Sequence, residues 1–174
     1  MSTLKHVQAI LALPVVVTLV VPGVIISTTQ AVNVGWSLPP PLHLLPPLTG
    51  SLLVGLGLAL MVKTIALFAT VGQGTLAPWL ATRKLVVQGI YRHVRNPMIS
   101  GVFCILLGEA LFFGSMALLT WFGLFVLINA VYIPLIEEPG LERRFGSDYA
   151  LYKRNVPRWI PRRTAWQAPV GGEE

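Results

Sequence analysis

The chain has 174 residues, of which 11% are charged and 54% hydrophobic, with a net charge of +6. Soluble globular proteins carry roughly 25% charged residues, so this composition excludes an ordinary water-soluble domain and points to a single membrane domain spanning residues 1–174. The excess of basic residues raises nucleic acid as a partner, a reading that their positions along the chain decide.

Residues 7–26 form an uncharged apolar run preceded by Lys5. Its length exceeds a signal-peptide core and no small-x-small cleavage site follows, so it reads as a membrane span and not as a cleaved leader. The proline-rich stretch LPPPLHLLPP, residues 38–47, reads as an extended external connector that cannot be helical. Residues 48–71 make a second apolar run, interrupted only by Lys63. Residues 99–136 form a third, too long for one crossing at about 1.5 Å per residue. Gly114 and Ser115 near its centre predict a tight turn between spans at 99–113 and 116–136. The expectation is an all-α integral membrane protein with about four transmembrane helices.

Lysine and arginine set the orientation. Residues 28–47 and the Gly114 turn are uncharged, whereas residues 72–98 carry Arg83, Lys84, Arg92 and Arg95. The tail adds Arg143, Arg144, Lys153, Arg154, Arg158, Arg162 and Arg163. The positive-inside rule then puts both termini, and segments 72–98 and 137–163, in the cytoplasm, at the inner membrane if the source is bacterial. Basic residues clustered at membrane ends suit anionic lipid head groups, and no nucleic-acid motif accompanies them, so nucleic acid is set aside as a partner.

Cys104 is the single cysteine, and His6, His43 and His93 are scattered, so no metal site is expected. Gly101, Cys104 and Gly108, at i, i+3 and i+7, make a small-residue face for close helix packing. Lys63 and Glu109 fall nominally inside spans. Lys63 has a stem long enough to reach the interface, and Glu109 sits near a helix end.

Two stretches carry candidate chemistry. In YRHVRNPMISG, residues 91–101, Asn96 is a good N-cap and Pro97 a good first helical residue. The same helix start offers free N–H groups and a partial positive charge to a carboxylate or phosphate. In residues 136–163 the adjacent Glu137 and Glu138 sit where the last span ends, with Pro139 opening a new helix. Phe145, Tyr149, Tyr152 and Val156 follow at i, i+4, i+7 and i+11, the pattern of an amphipathic helix lying at the interface. Glu137, beside an anionic surface, calls for a partner such as Arg92, Arg95, Arg158 or a bound cation.

RNPMISG, followed some forty residues later by EEPGLERRFGSDYALYKRNVPRWIPR, resembles the isoprenylcysteine carboxyl methyltransferase and phospholipid methyltransferase family of integral membrane enzymes. The family pattern falls on Arg95, Asn96, Pro97 and Gly101, on Glu137 and Glu138, and on Leu141, Phe145, Gly146, Tyr149 and Tyr152. Ile99 stands where the family has tyrosine. The resemblance runs from Gly72 to Arg163. It implies S-adenosylmethionine (SAM) as cofactor, held by Gly72, Gly74, Tyr91, Arg95, Asn96, Pro97, Glu137 and Glu138 at the cytoplasmic face, with a membrane lipid or lipidated small molecule as substrate. Glu137, Glu138, Arg95 and Arg158 are the candidate catalytic groups: a glutamate as base for an amine acceptor, an arginine for a carboxylate acceptor. The residues leave that choice open. Membrane lipid or steroid reductases using NADPH share a related helical body and are the alternative enzyme reading, beside a non-catalytic membrane scaffold.

Overall fold

The structure, a computed structural model, describes residues 13–70, Leu85 and residues 87–167. Within them there are five α-helices and no strand: α1 (Leu13–Thr29), α2 (Leu45–Thr70), α3 (Pro97–Phe113), α4 (Met116–Tyr132) and α5 (Glu138–Asn155). Two helical stretches, Leu42–Leu67 and Met116–Asn155, are long and apolar enough to cross a membrane, whereas Leu13–Thr29 and Pro97–Phe113 are apolar but shorter. Only 22% of the first stretch's apolar window and 17% of the second's is buried within the protein. Leu52, Val62, Leu127 and Leu135 all point outward, a distribution that suits hydrocarbon solvent and not a water-soluble core.

The proline-rich connector corrects the expectation that it cannot be helical. A 3₁₀ turn at Leu42–Leu44 leads directly into α2, whose first turn contains Pro46 and Pro47. Proline is tolerated there because first-turn N–H groups have no intrahelical acceptor to lose.

α2 and α3 pack through glycines. A Cβ on Gly50 would lie 2.5 Å from the Gly108 carbonyl oxygen, and one on Gly57 would lie 2.5 Å from that of Gly101. The seam expected from Gly101 and Gly108 therefore has its complement in Gly50 and Gly57, and backbone meets backbone along two helical turns. Ile105 and Leu106 on α3 join Val102, Met61 and Val17 in the core, with Trp121, Phe122 and Phe125 of α4 packed against them.

The predicted turn at Gly114 is present. Gly114 is left-handed, at φ 60°, and its N–H reaches the carbonyls of Ala110 and Leu111. Ser115 then caps α4 by accepting from the Leu118 N–H at 3.4 Å. The loop after α1 closes over this hairpin: the Asn33 N–H donates to the Phe113 carbonyl at 2.8 Å and Trp36 Nε1 to that of Leu111 at 3.1 Å.

The end of α4 differs from the expected break. The helix runs on through a π-type turn at Ile133–Glu137 into α5. Pro134 and Pro139 each lack an N–H, and a widened turn accommodates the lost hydrogen bonds without ending the helix.

Gly108→Val places methyl groups where a Cβ is already 2.7 Å from the Gly50 oxygen, and is expected to destabilise the protein by about 1–3 kcal/mol or more. Gly123→Ala, on α4 where nothing lies within 4 Å, is expected to be neutral or stabilising by up to about 1 kcal/mol. Thermal unfolding of the two variants in detergent checks both.

Candidate functional site

The site grows from the segment that connects α2 to α3. Gly89, at φ +54°, opens a 3₁₀ turn at Gly89–Arg92, and a Cβ there would sit 3.0 Å from a Leu67 methyl. Glycine thus gives both the left-handed conformation and the close approach to the end of α2. Asn96 occupies the N-cap position of α3 with Pro97 behind it, as the sequence indicated. Its side chain, however, makes no capping hydrogen bond.

The tail after α5 lies along this segment. The Arg95 N–H donates to the Pro157 carbonyl at 2.9 Å, the Arg162 N–H to that of His93 at 3.0 Å and the Trp166 N–H to that of Arg92 at 2.9 Å. Side chains repeat the pattern: Arg95 Nε donates to the Val156 carbonyl at 2.8 Å, Arg92 Nε to that of Trp166 at 2.6 Å and Tyr152 Oη to that of Tyr91 at 2.7 Å. His93 Nδ1 stands 2.9 Å from the Arg162 carbonyl oxygen. A carbonyl only accepts, so the proton lies on Nδ1.

The apolar face predicted on α5 is real, but the protein itself covers it. Tyr149, Tyr152 and Val156 are buried against Leu85, Val87, Leu141, Phe145 and Trp166. Nor is the helix continuous: Gly146 breaks it at φ 55°, ψ −131°. A straight helix would separate Glu138 and Lys153 by about 22 Å. The break turns the second half back, so that Lys153 Nζ comes within 3.4 Å of Glu138 and 3.5 Å of Glu142.

Glu138 is the centre of this arrangement and is only 2% exposed. Its Oε1 accepts from Arg95 Nη1 and Arg158 Nε, both at 2.7 Å, and its Oε2 accepts from Arg158 Nη2 at 3.0 Å. Burial on its own would raise the carboxyl. The Arg158 hydrogen bond and the charges of Arg95, Arg158 and Lys153 outweigh burial and hold it below its ordinary value. Arg158 is raised in turn, chiefly by its hydrogen bond to Glu138.

Glu137 is the opposite case. Half-buried, it makes no ion pair or hydrogen bond among the described residues, and burial, then the Glu138 charge, raise its carboxyl. Tyr91 is raised by burial, then by Tyr152 and Glu137. Tyr149 is pushed up to about 12, first by burial and then by Glu138, with Glu137 adding a smaller push. Glu137 therefore lies within electrostatic reach of both rings.

A family model for phospholipid methyltransferases matches residues 47–148, more than half of the chain. The chain belongs to the phospholipid methyltransferase family. Its outward apolar helices fit the membrane setting of such an enzyme. Phosphatidylethanolamine N-methyltransferase 1 of Vanderwaltozyma polyspora is 34% identical over 84 residues, 44% of this chain and 9% of that protein. The chain thus spans less than a tenth of the curated relative it matches. No solved structure matches.

Of the candidate residues, the structure brings Arg95, Glu138 and Arg158 into direct contact, with Tyr91, Asn96, Pro97 and Glu137 on the adjoining segments. Gly72 and Gly74 lie outside the described residues. Lys153 and Gly146 were missed as partners of the acidic pair. A glycine inside an otherwise helical pattern was the available signal.

Glu138→Gln leaves Arg95 and Arg158 without their counter-charge and is expected to cost about 2–4 kcal/mol, nearer the lower end because Arg158 and Lys153 keep solvent access. Because the folded-state value of Glu138 is depressed, its stabilisation is complete above the unfolded value of about 4.3 and is lost as pH falls through the lower folded value. Thermal unfolding across acid pH should show this loss in the parent protein and a flatter profile in Glu138→Gln. Gly146→Ala has room for its methyl group but not for its φ, and an expected loss of about 1–3 kcal/mol is checked in the same experiment.

Proposed function

We propose that the protein is a SAM-dependent methyltransferase acting on the amine head group of a membrane phospholipid at the cytoplasmic face, in a bundle of about four spans with both termini cytoplasmic. The observation that carries this reading is the unequal pair Glu137 and Glu138: one carboxylate neutralised by three cations, its neighbour half-buried and unpaired among the described residues. A partly desolvated carboxylate with no partner among the described residues suits a cation, and SAM and a phospholipid amine both present one.

SAM, when bound, supplies a methyl group on a sulfonium sulfur. Tyr91, the uncapped start of α3 at Asn96 and Pro97, and by family resemblance Gly72 and Gly74, would hold it. Glu137 would face its positive end. Arg95, already engaged by Glu138 and the Val156 carbonyl, would fix the α3 start relative to the tail. Transfer to a nitrogen needs alignment and exclusion of water more than covalent help. The phospholipid ammonium must lose a proton before its nitrogen has a lone pair to attack the methyl group, and Glu137, with its raised carboxyl, would accept that proton better than Glu138.

Thermal unfolding with SAM, its demethylated product or NADPH tests the reading. SAM at a hundredfold excess over Kd should stabilise the protein by about 2.7 kcal/mol. Glu137→Gln should lose most of that shift while keeping the unliganded midpoint. SAM affinity should fall as pH drops through the raised Glu137 value, at a higher pH than the acid loss of stability set by Glu138. Stabilisation by NADPH alone would instead support the reductase.

A further inference from the structure

One feature of α2 has no part in the site above. Lys63 is the sole charged residue of that helix, is exposed, and makes no ion pair or hydrogen bond among the described residues. It borders an open groove of about 660 Å³ between the end of α2, the Gly89–Arg92 turn and the tail. Arg92, His93, Leu67, Ile90 and Ala165 also line that groove. Arg92 donates through Nε to the Trp166 carbonyl, and its two terminal nitrogens have no partner among the described residues. Among the described residues no carboxylate lines the groove, and two cationic side chains, Lys63 and Arg92, border it beside apolar walls.

We propose that this groove seats the phosphodiester of the acceptor phospholipid, held between Lys63 and Arg92, with the acyl chains running down the outward apolar side of α2. The chemistry selects the occupant. A guanidinium and an ammonium bordering one groove complement a phosphate. Leu67, Ile90 and Ala165 would stay uncovered by a small soluble anion but not by the glycerol and first chain carbons of a lipid. Val62, the neighbour of Lys63, is 66% exposed and continues the apolar path. Lys63 follows the rule that a long stem lies along apolar surface while the ammonium reaches the head-group level. The proposal rests on the methyltransferase reading and gives its acceptor a place beside the Gly89–Arg92 turn, which carries Tyr91.

The test is competition against a fluorescent-chain phosphatidylethanolamine on the full chain in detergent, with SAM stabilisation measured on the same samples. Dioleoylphosphatidylethanolamine should compete about tenfold better than dioleoylglycerol, which lacks the phosphate. Lys63→Gln and Arg92→Gln should each shrink that preference several-fold without altering the affinity for dioleoylglycerol. Lys63 is exposed on a helix, so its variant folds even if loss of the Arg92 contact to Trp166 loosens the tail. Equal competition by the two lipids in the parent protein, or an undiminished preference in Lys63→Gln, would overturn the proposal. Displacement of the probe by inorganic phosphate as effectively as by the phospholipid would overturn it too, marking a free-anion site. SAM stabilisation that persists in Lys63→Gln keeps the methyltransferase reading separate from this result. Its absence in the parent protein would remove that reading while a phosphate preference still upheld the groove.

Discussion

A carboxylate that is 2% exposed must be neutralised where it sits, and the region where the start of α3, α5 and the tail meet is arranged around that requirement at Glu138. Removing a carboxylate from water costs several kcal/mol, which is recovered only with good geometry and satisfied lone pairs. Four contacts from Arg95, Arg158 and Lys153 supply both. Each cation comes from a different place in the chain. Arg95 precedes α3, Lys153 lies beyond the Gly146 break, and Arg158 belongs to the tail. One buried charge therefore fixes the relative positions of a helix start, a reversed helix half and a terminal strap, and the hydrogen bonds between residues 91–95 and 156–166 follow from that registration.

On the proposed reading, the consequence for chemistry is a division of labour between two adjacent glutamates. With Glu138 committed to holding the fold, its depressed carboxyl is a poor base. Glu137 has no counter-charge among the described residues, and burial and Glu138 both push its value up. Neighbouring titratable groups whose environments drive them apart are the usual mark of a site that handles charge or protons. Glu137 lies where the apolar α4 passes through a π-type turn into α5. The glycine-to-glycine contact of α2 and α3 holds the two helices that flank this region against each other.

Much of this was legible in the residues. Apolar runs poor in charge marked the helices, Gly114 marked the hairpin, and Gly101 with Gly108 marked the packing seam. The RNP and EE motifs pointed to two stretches that the structure joins through Arg95 and Glu138. The unread parts share a physical cause: periodicity describes local geometry and says nothing of reversals. Phe145, Tyr149, Tyr152 and Val156 keep a helical spacing in the sequence although Gly146 breaks the helix between them. Their apolar face therefore read as lying at the membrane interface, when Leu85 and Val87 of the preceding connection and Trp166 of the tail pack against it. Pro46, Pro47 and Pro139 read as boundaries, yet a first turn and a helix that continues through a π-type turn accommodate them. Which glutamate would be paired depended on Lys153 and Arg158 coming back in space, which spacing alone does not encode.

The central claim, that an unpaired glutamate beside a locked one serves methyl transfer to a phospholipid amine, meets its most direct test in methyl transfer itself. Purified protein in phosphatidylethanolamine nanodiscs, given SAM labelled in the methyl group, should place label on the head-group nitrogen, and phosphatidylcholine nanodiscs, whose nitrogen is already fully methylated, should take up none. Absence of label from phosphatidylethanolamine under conditions where SAM demonstrably binds would contradict the claim.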